Sequence, residues 1–554
     1  MKKNILILSL FLIPCSLFLT GCKDYLTELA PGVTTADSYF GSGQAAIMNV
    51  NGCYVPLMWE YNYTYYSEWF IGDVVGDDAL KGGQNTNDMS AVYDMENWKT
   101  DINNPLLLDY YRAQYQGIAR CNMALANIPL MPITDTVMTE DVQKRLIGEV
   151  SFLRAYYYFR LLRVFGGVPL VTKVMNNSAE WRVPRASVEQ MFTQICSDLE
   201  VAQQNLWRKD MYKERTTTKN AQPDLGRATK GAAEAMLQKV HLYMASPYWA
   251  TYLSSSPSEN YEEAKRWGDS IMKNDSYTLC DKYVDNFTLA GENGPESVFE
   301  IQYMEHPEGD YGGANGEGGN GYTAGTFTPI LIRSRNDEIG GGWGFNHPTH
   351  SLYNEFEEAD SIRRDVAIYN PKSFKKPGEE VYLGSPYLNA KYAMYLEFPK
   401  DWPKHASRGD INSKQIRYAD VLLMQAEALI GLGKDGEAMD LIRQVRHRAG
   451  LDEYKEVIKV NGVPVDAPTA WDYLRHERRM ELAMEGHRWF DLVRWYGSKD
   501  GGGELEKLMN KTYKDLESAD AQMHMNEFVG GKHELFPIPA DEIKLNPMEQ
   551  NRYY

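Results

Sequence analysis

The chain is 554 residues long, enough for one large core or for two or three packed subdomains, and its 76 acidic and 58 basic side chains give a formal charge of −18. So acidic a body argues against nucleic acid and polyanions as ligands, because each phosphate would approach against the field of the whole protein. Its aromatic residues are weighted toward rings with a polar end, 37 Tyr and 12 Trp beside 18 Phe, a balance that suits side chains able to sit half exposed and still bind.

At the N-terminus, Lys2 and Lys3 precede an apolar run over residues 5–19, interrupted by Pro14 and closed by Leu19-Thr20-Gly21-Cys22. The run falls short of the roughly 20 residues that a membrane-crossing helix needs, and its small-residue exit reads as a cleavage site, so residues 1–21 are expected to be a signal peptide. The ending is similar to a bacterial lipoprotein box, which implies that Cys22 is acylated and becomes the first mature residue. Acyl chains, at about 0.8 kcal/mol per buried CH₂, would then hold the protein to a membrane without a spanning helix. Cys15 leaves with the leader, and Cys53, Cys121, Cys196 and Cys280 are widely spaced with no CxxC pair. Structural zinc is therefore not expected, while the spacing leaves disulfides open.

Residues 60–105 have no helical period and are rich in Tyr, Trp, Asn, Asp and Gly. Next, Leu146, Val150, Leu153, Tyr157, Leu161 and Val164 recur at three and four residues, predicting a helix stopped by Gly166-Gly167 and Pro169. Residues 232–244 and 261–272 read as two helices of an αα-hairpin. Residues 305–350 are Gly-rich, with Tyr311, Tyr322, Phe327, Trp343 and Phe345 interspersed. Irregular stretches this long and this aromatic read as ordered binding loops. A second hairpin follows: Val421, Leu422, Ala426 and Leu429, a glycine-rich turn over 431–436, then Ala438, Leu441, Ile442, Val445 and Ala449. Its style is close to a tetratricopeptide unit, and a few such pairs stacked as a scaffold are expected. In 475–496, Leu474, Glu477, Arg478, Glu481, Leu482 and Glu485 share one helical stripe, so charges occupy the face that should meet the core. That face demands a lattice of internal ion pairs, with Arg478 able to reach Glu481 three residues on.

Few motifs suggest catalysis or metal binding. His476-Glu477-Arg478-Arg479-Met480 begins like a zinc-protease helix but has Met where the second ligand must stand. His347 and His350 have a loop spacing unsuited to one metal, and Asp73, Asp77 and Asp78 are not spaced as a calcium loop. Gly316-Glu317-Gly318-Gly319-Asn320-Gly321 matches a dinucleotide fingerprint only formally, with no strand before it and no helix after. A paired-carboxylate glycosidase is the remaining enzymatic reading, and no one pair stands out. The positive signal is aromatic: a pyranose presents an apolar C–H face to a ring and hydroxyls to Asp, Asn and Arg. Candidate platforms are Trp69, Trp98 and Trp343 with Tyr65, Tyr66 and Tyr322; candidate polar partners are Asp77, Asp78, Asn97, Asp101 and Arg333. Core packing competes with platform duty for each tryptophan.

Several segments carry a family resemblance: Glu477-Arg478, Glu481-Leu482, Glu485-Gly486, Arg488, Asp491-Leu492 and Arg494-Trp495; Leu153-Arg154-Ala155-Tyr156-Tyr157-Tyr158-Phe159 leading to Phe165-Gly166-Gly167-Val168-Pro169-Leu170; Arg417-Tyr418-Ala419-Asp420 through Glu427-Ala428; and Leu535-Phe536-Pro537-Ile538-Pro539 with Asn546-Pro547 and Gln550-Asn551. In this order they resemble the SusD/RagB family of bacterial surface nutrient-binding lipoproteins. The resemblance implies a mostly α fold with tetratricopeptide-type helix pairs and long irregular ligand-binding loops, divided as an N-terminal region 22–230, a helix pair 231–300 and a C-terminal region 301–554. It further implies a non-catalytic, cofactor-free protein, lipid-anchored to the outer membrane and facing outward. Such a protein pairs with a SusC-like TonB-dependent transporter and delivers glycan to it, with peptide or glycopeptide as the alternative cargo. A structural surface protein with no small ligand is the third class.

Overall fold

A computed structural model describes residues 40–59, 69–133, 137–214, 224–274, 277–304, 325–335, 342–370, 385–393, 409–515 and 526–554. The leader, Cys22, Tyr65, Tyr66, Tyr311, Tyr322 and the 316–321 glycine run lie outside these residues.

Helices dominate, and they pack in sequence as a continuous stack. After α1 (Gly43–Tyr54) and the short α2 (Ser90–Glu96) come α3 (Pro105–Asn127), α4 (Glu140–Phe165), α5 (Val188–Asn205), α6 (Lys230–Ala245), α7 (Pro257–Asn274), α8 (Tyr418–Gly431) and α9 (Asp435–Arg448), each of α3 to α9 against the next. The starts are capped as their sequences dictate. Asn104 accepts from the N–H groups of Leu106 and Leu107 beside Pro105 at the first helical position, and Ser187 and Gln190 close a capping box on α5. The expected helix over 146–164 is the core of α4, which is buried along nearly its whole length and ends at Gly166. Both expected hairpins form. In the second, Gly433 at φ 72° supplies the left-handed residue that ends α8 while the N–H groups of Gly433 and Lys434 satisfy the carbonyls of Ile430 and Leu429. The larger apolar core runs from Phe40 to Ile538, so all three sequence regions contribute to it.

The 475–496 stretch departs from a single helical stripe. It forms α10 (Ala470–Glu481) and α11 (Arg488–Tyr496), separated by a break in which Met484 and Gly486 adopt φ 61° and 76°. Glu485 therefore lies past the helix end, and Arg478 does not bond Glu481. Instead Arg478 donates to Asp420 at 2.8 Å and Asp491 at 2.9 Å. Glu481 is held by Arg417 at 2.9 Å and by Arg448 and Arg363, and Glu477 by Arg363 and Arg446. Glu485 accepts two bonds from Arg417 at 2.8 Å and one from Lys391 at 2.6 Å. The expected lattice is thus present, but its partners come from distant segments. A charge buried alone would cost several kcal/mol, and the mutual pairing is what permits this one in the interior. Burial alone would raise Asp420 and Glu481, yet the surrounding Lys239, Arg478, Arg448 and Arg417 hold both well below the usual carboxylate range.

Strands are short. β1 (Ala79–Gly82) pairs antiparallel with β3 (Phe345–Pro348), Leu80 opposite His347, and β2 (Ser297–Ile301) pairs with β4 (Ser413–Arg417), Ser297 opposite Arg417. The β1–β3 ladder joins the two irregular, aromatic-rich regions, and the β2–β4 ladder delivers Arg417 to the lattice.

Candidate functional site

Just before β1, residues Trp69–Val74 make a turn of π-helix, a rare geometry found disproportionately at functional sites. This turn presses on the break between α10 and α11. A Cβ on Gly72 would lie 2.1 Å from the carbonyl oxygen of Gly486, so only glycine permits the contact. The Gly486 N–H in turn donates to Asp73 Oδ1 at 2.9 Å. On β3, Asn346 takes φ 56° and donates from Nδ2 to Asp73 Oδ2 at 3.2 Å. A π-turn and two non-glycine residues in the left-handed region, Met484 and Asn346, therefore meet at one place. Such backbone costs of order 1–3 kcal/mol per residue and persists where the surroundings impose it.

The place opens as a cleft. Trp69, Tyr303 and Tyr392 supply its rings, Ile301, Ile411 and Met484 its apolar wall, and Asp73, Asn346, Asn389 and Gln415 its polar lining. Of its other charges, Lys414 bonds Glu300 at 2.8 Å, and Glu485 is saturated by Arg417 and Lys391. Arg160 donates to Gln415 Oε1 at 3.3 Å and lies over the Tyr156 ring. Among the described residues no donor reaches Asn346 Oδ1 or Asn389 Oδ1, although both side chains are buried. Buried acceptors of this kind are normally satisfied, which singles out these two within the cleft lining. A second recess lies by Tyr54, Met58 and Leu225, but its Arg227 is committed to Glu149 and Asp224.

The expected site residues divide. Trp69 lines the cleft while being only 7% exposed and packed against Phe70 and Phe345 at 5.8 and 6.1 Å, and Trp343 is half-buried against Phe327, whose neighbours Thr326 and Thr328 line the wall. Trp98 is instead packed among Trp489, Phe528 and His533, with ring centroids 5.0 to 5.5 Å away. Asp77 and Asp78, expected to face ligand, are buried in the scaffold: Asp77 takes a two-point bond from Arg488 at 2.6 and 2.8 Å, and Asp78 a bond from Arg479 at 2.8 Å. The same turn that aims Asp73 at the cleft points these two inward. Arg333 is fully buried and donates to the Ala393 carbonyl at 2.9 Å. Asp101 is exposed and caps a turn through the Asn103 N–H, while Asn97 closes α2. Asn389, Tyr392 and Tyr303 were not among the expected residues. Trp181, also unselected, is 62% exposed away from the cleft lining. No group of three or more His, Cys, Asp or Glu side chains among the described residues is placed to hold a metal.

Two family models match the chain, one described as "SusD family" over residues 385–554 and one as "Starch-binding associating with outer membrane" over residues 42–242. SusD-like protein P38 of Formosa agariphila is 26% identical over 89% of this chain and 91% of its own. Among solved structures, surface glycan-binding protein A from Bacteroides fluxus superposes with a TM-score of 0.73 at 24% identity, over 93% of this chain and 100% of that one. The corresponding protein from Bacteroides thetaiotaomicron, in complex with laminarihexaose, gives 0.71 at 22% over 92% and 99%. These superpositions establish a shared fold.

Proposed function

Because the chain belongs to the SusD/RagB family, we propose that it is a surface lipoprotein that captures glycan in the Trp69–Asp73–Asn346–Asn389 cleft and passes it, chemically unaltered, to a SusC-like TonB-dependent transporter in the outer membrane. The observation that carries this reading is the pair of buried amide oxygens, Asn346 Oδ1 and Asn389 Oδ1, without donors among the described residues, in a cleft also lined by Trp69, Tyr303 and Tyr392. Sugar hydroxyls supply such donors, and the pyranose C–H groups meet aromatic faces. Peptide is the less favoured cargo because Lys414 and Glu485, which chain ends would seek, are already paired, which leaves Asp73 as the one cleft carboxylate without a cation among the described residues. Hydrolysis is disfavoured for the same reason: a glycosidase needs two working carboxyls, and Glu485 has both oxygens occupied by Arg417 and Lys391. The laminarihexaose complex of a relative with this fold supports the ligand class.

An affinity-gel and calorimetric screen of the mature chain against neutral glycans tests the reading. Trp69→Ala is expected to remove about 2 kcal/mol or more of affinity in protein that still melts cooperatively, as for an aromatic hot spot. Full affinity in that variant would take the ligand out of the cleft. No helix among the described residues is long and apolar enough to cross a membrane, and the anchor we assign is Cys22. Cys22→Ala should leave a folded protein that no longer sediments with outer membrane when the transporter is absent; continued sedimentation would refute the acyl anchor.

A further inference from the structure

Asp73 and Asp77 sit four residues apart, both buried to about 1% exposure, in opposite surroundings. Asp77 is clamped by two guanidinium groups, Arg488 and Arg479. Asp73 has only neutral partners within hydrogen-bonding distance, the Gly486 N–H and the Asn346 amide. The other ionisable groups around the π-turn and the cleft are engaged elsewhere or neutral; across the cleft Arg160 donates to Gln415 and lies over the Tyr156 ring, and Lys414 is bonded to Glu300. Arg488, on α11, is taken by Asp77; on β1, the Lys81 ammonium is held by the Asn85 and Asp88 carbonyls; Lys391 is bonded to Glu485. Glu96, on α2, accepts the Lys81 backbone N–H, and on β3 burial keeps His347 neutral. Asp78, the nearest like charge, adds repulsion. Burial accordingly pushes Asp73 up to about 7, against the two hydrogen bonds and the more distant Lys391 charge that pull it down.

Asn346 completes the arrangement. One of its amide atoms faces Asp73 and the other, Oδ1, is the buried acceptor without a donor. Turning the amide by 180° exchanges the two atoms at almost no steric cost. With a proton on Asp73 Oδ2, the turned amide oxygen accepts from it, and the amide hydrogens then point where the unpaired oxygen was.

We infer that a proton on Asp73 sets the hydrogen-bonding polarity of the cleft. Protonated, Asp73 lets Asn346 offer a donor beside the Asn389 acceptor, a pairing matched to neighbouring hydroxyls of an uncharged sugar. Deprotonated, it leaves two acceptors beside a buried negative charge that no cation bonds, and covering that charge with ligand is unfavourable. Capture is therefore proton-linked and anionic sugars are rejected above neutrality. The inference rests on the cleft being the glycan site.

The test is calorimetric titration of laminarihexaose from pH 5.5 to 8.5 into the wild-type mature chain and into Asp73→Asn, whose amide cannot ionise. If only the protonated fraction binds, the wild-type dissociation constant rises about tenfold between pH 6 and pH 8, and Asp73→Asn loses that step. A wild-type profile without the step, or the same step in Asp73→Asn, overturns the proposal. Glu96, Asp109, Glu292 and Glu534 are also pushed up to about 7, so the difference between the two proteins is the readout. In parallel, infrared spectra of ¹³C-aspartate-labelled, ligand-free protein should show, in the difference between wild type and Asp73→Asn, a buried carboxylic acid at pH 6 that fades by pH 8, the Asp109 band being common to both. An ionised Asp73 at pH 6 overturns the proposal whether or not the sugar binds. Failure of laminarihexaose to bind at any pH, with the acid band present, would count against the glycan reading alone.

Discussion

Replacing Arg417 by Ala is expected to lower the free energy of unfolding by about 3–5 kcal/mol, the range for removing one partner from a buried charge cluster. Arg417 leaves β4 opposite Ser297 and bonds three carboxylates from separate segments: Glu296 at 2.6 Å, Glu481 at 2.9 Å and Glu485 at 2.8 Å. Arg448 and Lys391 remain to share them, but Glu485 would lose both bonds from the guanidinium and keep one ammonium. Urea unfolding at neutral pH measures the loss as a shift in midpoint. A shift below about 1 kcal/mol, the value of a solvated pair, would contradict a dry lattice. The pH dependence has a definite sign. Asp420 and Glu481 are depressed in the fold, so their contribution is present above the ordinary carboxylate pKa of about 4 and disappears as pH falls through and below it. Acid should therefore unfold the wild type more readily than a lattice-independent core would allow, and Arg417→Ala should blunt that dependence.

Trp98→Ala is expected to cost about 3–5 kcal/mol of stability, as for a large aromatic removed from a packed interior. Its indole is 7% exposed and fills the space between Trp489, Phe528 and His533. Thermal melts and calorimetric titration separate the two roles this residue could play. A large drop in melting temperature with ligand affinity kept in the remaining folded protein fits packing, whereas normal melting with lost affinity would return Trp98 to the binding surface.

The scaffold was legible because its rules are local. Apolar residues at three and four spacing give α4 and the hairpins directly, and charges on the inward stripe of 474–485 require ion pairs wherever their partners lie. The partners were not legible, since Asp77 meets Arg488 across 411 residues and Glu477 meets Arg363 across 114. The break at Met484 was hidden for a different reason: it depends on Asp73 and Gly72, which reach Gly486 from the other end of the chain. The site shows the same division. Composition marked 60–105 and 305–350 as regions that matter, and β1–β3 does bring them together. It could not say which side chains face out. Within Asp73, Asp77 and Asp78 a π-turn decides, and a π-turn has no sequence period to read. Asn389 and Tyr392 come from a stretch without any motif and reach the cleft through tertiary placement.

The central claim is that glycan occupies the cleft between the π-turn and the α10–α11 break. A crystal structure of the mature chain soaked with a neutral oligosaccharide such as laminarihexaose tests it most directly. The account predicts sugar hydroxyls within hydrogen-bonding distance of Asn346 and Asn389 with a pyranose against Trp69. Sugar bound instead in the recess by Tyr54 and Leu225, or on Trp181, with the Asn346–Asn389 cleft holding only water, would contradict it.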